Sequence, residues 1–282
     1  SERVILYRLG RATIRKSLFM KFIAFIQYYF ETIIFLKDHK ISCINAHSLS
    51  VLPLAVILKY RKECKLIYDT HELETETNSL NNFKKKFAKG IEKLLIRRAD
   101  KIFCVSDEIS EWYSSTYKLS KPTTILNSPL LEDLPVSSYL RYKFDLREDQ
   151  KIAIYLGFIE PGRGIELIVD TFHKRSSDEI VAIFIGSGSL VDYLKASPSY
   201  GRTIFLHPFV PRGEIMSVAS SADVGLCLVS QSCLSYSYCM PNKLFEYLMS
   251  GLPVIVTPCA SLINFVGKHQ IGFVLNDLSS DF

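Results

Sequence analysis

Short apolar runs alternate with helical segments along most of the chain, and this alternation constrains the fold more than any other feature. The predicted strands are 41–47, 65–69, 101–105, 123–127, 152–157, 180–185, 203–206, 222–228, 254–256 and 272–275, and residues 1–7 suit a further short strand. The predicted helices between them include 18–37, 48–58, 83–100, 107–117, 164–173, 211–220 and 241–250. Such repetition is typical of parallel βαβ units with right-handed crossovers. We therefore expect an α/β fold with two doubly wound halves.

The length and one irregular segment predict two domains. A chain of 282 residues exceeds one ordinary hydrophobic core and suits two. Residues 129–150 break the alternation with two prolines, a pair of serines and mixed charges. We interpret them as a linker between a first domain at 1–128 and a second at 151–282.

Composition narrows the class of protein. Hydrophobic residues make up 48% and charged residues 22%, as in globular proteins, and a net charge of +5 is too small to indicate a nucleic-acid partner. Seven cysteines without a C-x-x-C pair, several of them in apolar runs, predict buried free thiols and a cytoplasmic protein. The most apolar window, 18–36, contains Lys21, Gln27 and Glu31, which argues against a membrane-spanning helix.

The stretch 240–256 has the features of an anion-binding helix. Pro241 suits a helix start, and Gly251 ends a short helix before a buried strand. The helix N-terminus offers unpaired N–H groups and the positive end of the dipole, and Lys243 adds a full charge. Glu246, one turn further on, suits hydroxyl groups as an acceptor. A plain helix–turn–strand unit with both side chains solvated explains this stretch alone equally well.

Five landmarks in the second half, with their order and spacing, carry a resemblance to a known family. They are 155–167 (YLGFIEPGRGIEL), 184–188 (FIGSG), 207–211 (HPFVP), 221–226 (SADVGL), and 241–247 (PNKLFEY) with 251–255 (GLPVI). In the first half, 68–72 (YDTHE) and 105–106 fit more loosely. Together they resemble glycosyltransferase family 4, the group 1 glycosyltransferases of the GT-B superfamily, over nearly the whole chain.

The resemblance implies a GT-B fold, in which two Rossmann-like domains face each other across a cleft. It also implies a retaining hexosyltransferase that moves a sugar from a nucleotide diphosphate sugar to a glycan or lipid-linked acceptor. A role in bacterial surface polysaccharide synthesis follows from the same likeness. No metal is expected, because the sequence has no D-x-D motif and its histidines lack ligand spacing. The resemblance implies no cofactor, since the nucleotide diphosphate sugar is the donor substrate.

The family's donor-phosphate contacts fall on two places in this sequence. Arg163, in a glycine-flanked turn with Gly164, matches a basic residue that grips the diphosphate, although a surface arginine in a turn would look the same. Lys243 and the backbone of Asn242 and Leu244 form the second phosphate candidate.

The remaining site residues follow from the same resemblance. Glu246 matches the glutamate that holds the ribose hydroxyls, and Val210 lies in the loop that edges the base. Gly186 belongs to a turn that lets a nucleotide approach the backbone or simply connects a strand to a helix. His71 matches a first-domain histidine beside the donor sugar, and a capping or loop histidine remains the alternative. We assign His71 and Glu246 to the reaction centre.

Three departures from the family pattern matter. Tyr238 stands where the first of two glutamates is usual, and Phe158 stands where arginine often follows the glycine. Lys243 is a candidate substitute for that second cation. Both ends of the sequence look clipped relative to GT-B proteins. These departures keep open a pseudo-transferase that only binds nucleotide, or another GT-B enzyme such as a nucleotide-sugar epimerase.

Basic clusters in the first half suggest a membrane surface. Four cations lie between residues 11 and 21, and others are Lys84, Lys85, Lys86, Arg97 and Arg98. Each cation near an anionic leaflet contributes about 1 kcal/mol, so we expect peripheral contact with the cytoplasmic face of a membrane. Ordinary solvated helix faces are the alternative.

Overall fold

The computed structural model describes residues 18–78, 80–130 and 136–275, together with Tyr7 and Leu9. The chain divides into two compact units, one of residues 1–70 and 90–102 and one of residues 71–89 and 103–282. The strands form sheets of four and six, and all the described pairings are parallel, which confirms the predicted α/β class. Apart from Tyr7, the strand predicted at 1–7 lies outside the described residues.

The first unit begins with two helices and two strands. They are α1 (Leu18–Phe35), β1 (Cys43–Ala46), α2 (Leu52–Lys62) and β2 (Lys65–Thr70), with β1 parallel to β2. The helix predicted from Ser48 begins later, at Leu52, because Pro53 fits the first turn of a helix, where its missing N–H has no acceptor to lose.

Polar side-chain contacts connect the elements of the first unit. The carboxylate of Asp100 accepts hydrogen bonds from the Lys59 ammonium and from the Leu66 N–H, both at 2.8 Å. The Lys59 bond, followed by the Leu66 bond, lowers the pKa of Asp100 to about 2. The Tyr68 hydroxyl donates to Glu92 at 2.8 Å, and both side chains are fully buried. The bond between Tyr68 and Glu92 satisfies two groups that would otherwise be costly to bury.

Helix α3 (Asn82–Leu95) and a 3-10 turn (Ile96–Arg98) lead to β3 (Lys101–Cys104), α4 (Asp107–Tyr117), β4 (Thr123–Thr124) and α5 (Tyr139–Lys143). Strand β4 runs parallel to β3 and is shorter than predicted. Ser106 caps α4 by accepting from the Ile109 N–H at 3.2 Å, which explains the bounds predicted for this helix. Helix α5 falls inside the segment 129–150, and its Leu140 is fully buried.

The second unit contains a six-stranded sheet with helices between its strands. In chain order these are β5 (Lys151–Leu156), α6 (Ile165–Lys174), β6 (Ile180–Ile185), α7 (Val191–Lys195), β7 (Ile204–His207), α8 (Ile215–Ala219), β8 (Val224–Cys227), α9 (Leu234–Ser237), α10 (Asn242–Met249), β9 (Val254–Val256), α11 (Ala260–His269) and β10 (Gly272–Val274). Helices α5, α9 and α11 were not predicted from the sequence.

Strand order creates a natural crevice in this sheet. The order is β10-β9-β8-β5-β6-β7, so the chain moves outward from β5 in one direction and then returns to β8 on its other side. Beyond the carboxyl ends of the strands at such a switch point, open α/β sheets bind their ligands. Tyr155, Phe184 and Leu226 are buried in the core that supports this edge.

The structure bears on two expectations from the sequence, the burial of the cysteines and the membrane-spanning helix that the sequence argues against. Cys104 and Cys227 are buried free thiols as predicted, whereas Cys43 is exposed. Within the described ranges, none of the helices combines the length and apolar content that a membrane span requires.

Candidate functional site

A cavity of about 550 Å³ opens in the second unit at the carboxyl ends of β5 and β6. This volume falls in the range of roughly 300–1,000 Å³ that is usual for small-molecule sites. The predicted site residues that line it are His71, Arg163, Val210, Asn242, Lys243 and Glu246. The structure therefore brings together side chains that are far apart in the sequence. His71 and Glu246, the first and the last of them, are 175 positions apart.

Two glycines allow the loops after β5 and β6 to touch. Gly157 has a φ of 118° and Gly186 a φ of 153°, which side-chain-bearing residues rarely adopt. A Cβ atom on Gly186 would lie 1.9 Å from the carbonyl oxygen of Gly157. The Gly157 N–H also donates to Ile185 at 3.0 Å. Gly186 thus fixes the backbone below the cavity.

Gly164 positions the turn that carries Arg163. Gly164 is the N-cap of α6 and has a φ of 75°. A Cβ atom on Gly164 would lie 2.4 Å from the Cβ of Leu228. The absence of a side chain lets α6 pack closely against the segment after β8. Gly164 therefore supports the arginine through packing.

Tyr247 anchors α10 to the sheet. Its hydroxyl accepts from the Leu156 N–H at 2.8 Å and donates to the Leu226 carbonyl at 3.2 Å. The ring is fully buried and packs on Gly225, where a Cβ atom would lie 2.3 Å from it. These contacts place the start of α10 at the ends of β5 and β8.

The first turn of α10 differs slightly from the prediction. Pro241 is the N-cap, with ψ at 143°, so the helix begins at Asn242. The Leu244 side chain is fully buried and its N–H donates to the Pro241 carbonyl at 3.1 Å. The N–H groups of Asn242 and Lys243 belong to the first turn, where a helix offers no acceptor.

Lys243 is the most unusual residue of the site. Its side chain is only 9% exposed, and its ammonium nitrogen lies 3.9 Å from the centroid of the Tyr155 ring. Burial lowers the pKa of Lys243 to about 8, and the positive charge of Arg163 acts in the same direction. An anion in the cavity would restore the charged form of this lysine.

Arg163 provides a second cation on the same cavity. Its guanidinium carbon lies 5.5 Å from the centroid of the Tyr236 ring, and the side chain is half-buried. Two like charges that line one cavity repel each other unless an anion lies between them. The pair with Lys243 therefore favours an anionic ligand.

Glu246 faces the cavity one turn beyond Lys243. Burial raises its pKa, while the charges of Arg212 and Lys243 oppose that shift. A half-buried carboxylate next to two cations suits hydrogen bonds from ligand hydroxyl groups.

The loop before α10 is tied to segments much earlier in the second unit. Ser235 donates to the Glu72 carboxylate at 3.3 Å, and Asn127 donates to the Met240 carbonyl at 3.2 Å. His71, the neighbour of Glu72, lines the cavity, and its side chain is exposed.

The two positions that depart from the family pattern have different surroundings. Phe158 is 66% exposed, lines the cavity and lies edge-on to Phe209, with 5.6 Å between ring centroids. Tyr238 instead lines a separate hollow beside Glu108 and Trp112. Tyr238 itself is therefore not among the residues that line the cavity with Arg163 and Lys243.

Several cavity residues were not singled out from the sequence. Tyr155, Tyr236, Phe209 and Asn127 belong to this group, and Arg212 acts on Glu246. Tyr155 lies in an apolar strand, where a core role is the ordinary expectation. In the sequence, the one sign that Tyr155 could belong to the site is its position near the end of a strand, shortly before the turn that contains Arg163.

Comparison with known families gives two matches along the chain. The model for "Glycosyl transferases group 1" matches residues 139–281, and the model for "Glycosyltransferase Family 4" matches residues 4–128. A curated relative is the putative teichuronic acid biosynthesis glycosyltransferase TuaH of Bacillus subtilis, 24% identical over 230 residues. That match covers 77% of this chain, which spans 56% of the length of TuaH.

Solved structures share the fold. Sucrose-phosphate synthase from Thermosynechococcus elongatus has a TM-score of 0.74 at 16% identity, over 95% of this chain and 70% of that one. HepE from Anabaena, solved with UDP-glucose, has a TM-score of 0.68 at 14% identity, over 88% of this chain and 68% of that one. The predicted GT-B fold with two Rossmann-like domains is confirmed.

Proposed function

The chain belongs to the group 1 glycosyl transferases, and from that premise we propose that it transfers a hexose from a nucleotide diphosphate sugar to a glycan or lipid-linked acceptor. The anomeric carbon exchanges its diphosphate for the acceptor hydroxyl with retention of configuration. The convergence of Arg163 and Lys243 on one cavity, beside Glu246, is the observation that supports this proposal most strongly.

The two cations have a clear task in such a transfer. As the diphosphate leaves, negative charge grows on its oxygens, and cations already in place stabilise that charge. Arg163 offers a planar pair of donors, and Lys243 offers an ammonium group that lines the same cavity. With two protein cations at the diphosphate, we propose that transfer proceeds without a bound metal and without a separate cofactor.

The other site residues have roles that follow from their places around the cavity. We propose that Glu246 holds the ribose hydroxyls and that Val210 edges the base. We propose that His71, which also lines the cavity, contacts the donor sugar near the reacting carbon. Val210 lies next to Phe209, so the base end of the cavity is more apolar than the phosphate end.

We also propose a cellular setting and a division of labour between the domains. TuaH is described as a putative teichuronic acid biosynthesis glycosyltransferase, and this supports a role in bacterial surface polysaccharide synthesis. We propose that the protein carries out this role in the cytoplasm. We keep residues 1–128 as the acceptor-side domain and 151–282 as the donor domain, joined by 129–150. Peripheral contact with a membrane fits a lipid-linked acceptor.

A second candidate function is nucleotide binding without transfer. Tyr238 replaces a glutamate of the family pattern and faces a hollow away from the cavity. If that carboxylate is indispensable, the site retains its diphosphate contacts but lacks part of its sugar contacts. A nucleotide-sugar epimerase would use the same donor cavity with no acceptor.

A panel of UDP-, GDP- and ADP-sugars tests these alternatives. Thermal shift identifies the donor, and nuclear magnetic resonance then follows the anomeric proton with acceptor present and absent. A new glycoside with the donor's anomeric configuration supports retaining transfer, and Arg163→Ala should abolish it. Binding with no turnover would favour the second candidate, and an altered free nucleotide sugar would identify an epimerase.

A further inference from the structure

Helix α3 presents two large aromatic side chains to the outside. Phe83 is 80% exposed and Phe87 is 66% exposed, and a spacing of four residues places them on one face of the helix. Leu94, 68% exposed, continues this spacing along the same helix. Exposed aromatic residues on adjacent turns are uncommon on a surface that contacts only water.

The opposite side of α3 fixes this orientation. Lys85 and Lys89 both form ion pairs with the buried carboxylate of Glu76. Burial alone would raise the pKa of Glu76, but the two ammonium groups outweigh it and the pKa is lowered. Lys89 also lies 5.4 Å from the centre of the Trp112 ring. Since Lys85 and Lys89 point inward, helix geometry turns Phe83 and Phe87 outward.

Lysines flank the two phenylalanines. Lys84 and Lys86 are exposed, and by helical spacing they lie on opposite flanks of the aromatic stripe. Lys93 is exposed on the same flank as Lys86. The only acidic residue in the sequence of α3 is Glu92, which is fully buried and bonded to Tyr68. The exposed charge of this helix is therefore positive.

We propose that Phe83, Lys84, Lys86 and Phe87, here called the α3 outer face, dock on an anionic phospholipid bilayer. The phenyl rings enter the boundary between headgroups and acyl chains, and the lysines extend toward the phosphates. An anionic bilayer has negatively charged headgroups at its surface and apolar acyl chains beneath them. These two layers match the cations and the apolar stripe of the α3 outer face. The inference deepens the proposed function, on which it rests for its purpose, because docking brings the protein to a lipid-linked acceptor.

Co-sedimentation of the 282-residue chain with vesicles tests the proposal without donor or acceptor. Binding is compared between vesicles of phosphatidylcholine alone and vesicles that also contain phosphatidylglycerol. We expect binding to the anionic vesicles that weakens as salt is added. Phe83→Ser with Phe87→Ser should lower the partition coefficient about tenfold or more. Lys84→Gln with Lys86→Gln should lower it by roughly an order of magnitude as well.

Matched controls change exposed residues elsewhere. Tyr142→Ser with Phe273→Ser removes two aromatic rings, and Lys174→Gln with Lys195→Gln removes two charges. Both controls should bind as the unaltered chain does. The proposal is overturned if the unaltered chain ignores anionic vesicles or if the phenylalanine variant binds them equally well. Self-association that the phenylalanine changes abolish, without vesicle binding, would assign the face to a second copy. None of these results touches sugar transfer, which is measured with a water-soluble acceptor.

Discussion

The ammonium group of Lys243 lies 3.9 Å from the centroid of the Tyr155 ring, at the bottom of the cavity that Arg163 also lines. The ring face attracts the cation, but burial and the charge of Arg163 favour the neutral amine. Together these effects leave the pKa of Lys243 at about 8, close to physiological pH. Protonation of one buried side chain is thus linked to the charge of whatever occupies the cavity.

Diphosphate binding should therefore take up a proton above pH 8. With Lys243 neutral in the free protein, a bound diphosphate raises its pKa and restores the charge. We expect nucleoside diphosphate affinity to be constant between about pH 7 and pH 8, where the terminal phosphate is fully ionised, and to fall by up to about tenfold per pH unit above pH 8. Calorimetry in two buffers of different ionisation enthalpy measures the proton uptake. Lys243→Met should show weaker binding and no uptake, whereas Lys195→Gln should behave as the unaltered chain.

Lys243 should also make the free energy of unfolding depend on pH. Its pKa is about 8 in the folded chain and near 10.4 in an unfolded one, so between these values the unfolded state binds more protons. The free energy of unfolding should rise across this window by on the order of 3 kcal/mol. Below pH 8 both states are protonated and the contribution is constant. Urea titrations of the unaltered chain and of Lys243→Met at several pH values isolate the effect. If the free energy of unfolding changes with pH in the same way for both proteins, the prediction is wrong.

Local signals predicted some elements better than others. Helix α4 was placed correctly because Ser106 is a side-chain cap, and β6 because six apolar residues stand between polar ones. Helix α11 was not predicted, and its N-cap residue Cys259 provides no side-chain cap hydrogen bond. The site shows the same limit. The sequence indicated Lys243 as a cation, but its burial against Tyr155 depends on strands far away in the chain.

Glu246 should discriminate ribose from its deoxygenated form. A charged acceptor that holds ribose hydroxyls is worth about 1.5–3 kcal/mol. Glu246→Gln should weaken the tightest nucleoside diphosphate by this amount and leave its 2′,3′-dideoxy analogue nearly unchanged. Calorimetry of both ligands on both proteins gives the coupling energy. Equal losses for the two ligands would place the carboxylate elsewhere in the site.

Tyr247 should contribute to stability through its hydroxyl. In Tyr247→Phe the buried N–H of Leu156 and the carbonyl of Leu226 both lose the hydroxyl as a hydrogen-bonding partner. We expect a loss of about 1–3 kcal/mol in the free energy of unfolding, measured by urea titration. Tyr142→Phe is the matched control, since Tyr142 is 86% exposed and should change stability by less than about 0.5 kcal/mol. A similar small change at Tyr247 would show that its hydroxyl does not hold α10.

Gly186 should tolerate no side chain. In Gly186→Ala a methyl group would lie 1.9 Å from the Gly157 carbonyl oxygen, at a φ of 153° that alanine rarely adopts. The loops after β5 and β6 must separate, at a cost of about 2 kcal/mol or more in stability. Gly213→Ala serves as control, because a Cβ atom there meets no heavy atom within 4 Å. Thermal unfolding measures stability and calorimetry measures nucleotide binding. We expect both to drop for Gly186→Ala alone, because the separated loops carry Phe158 and the floor below Lys243.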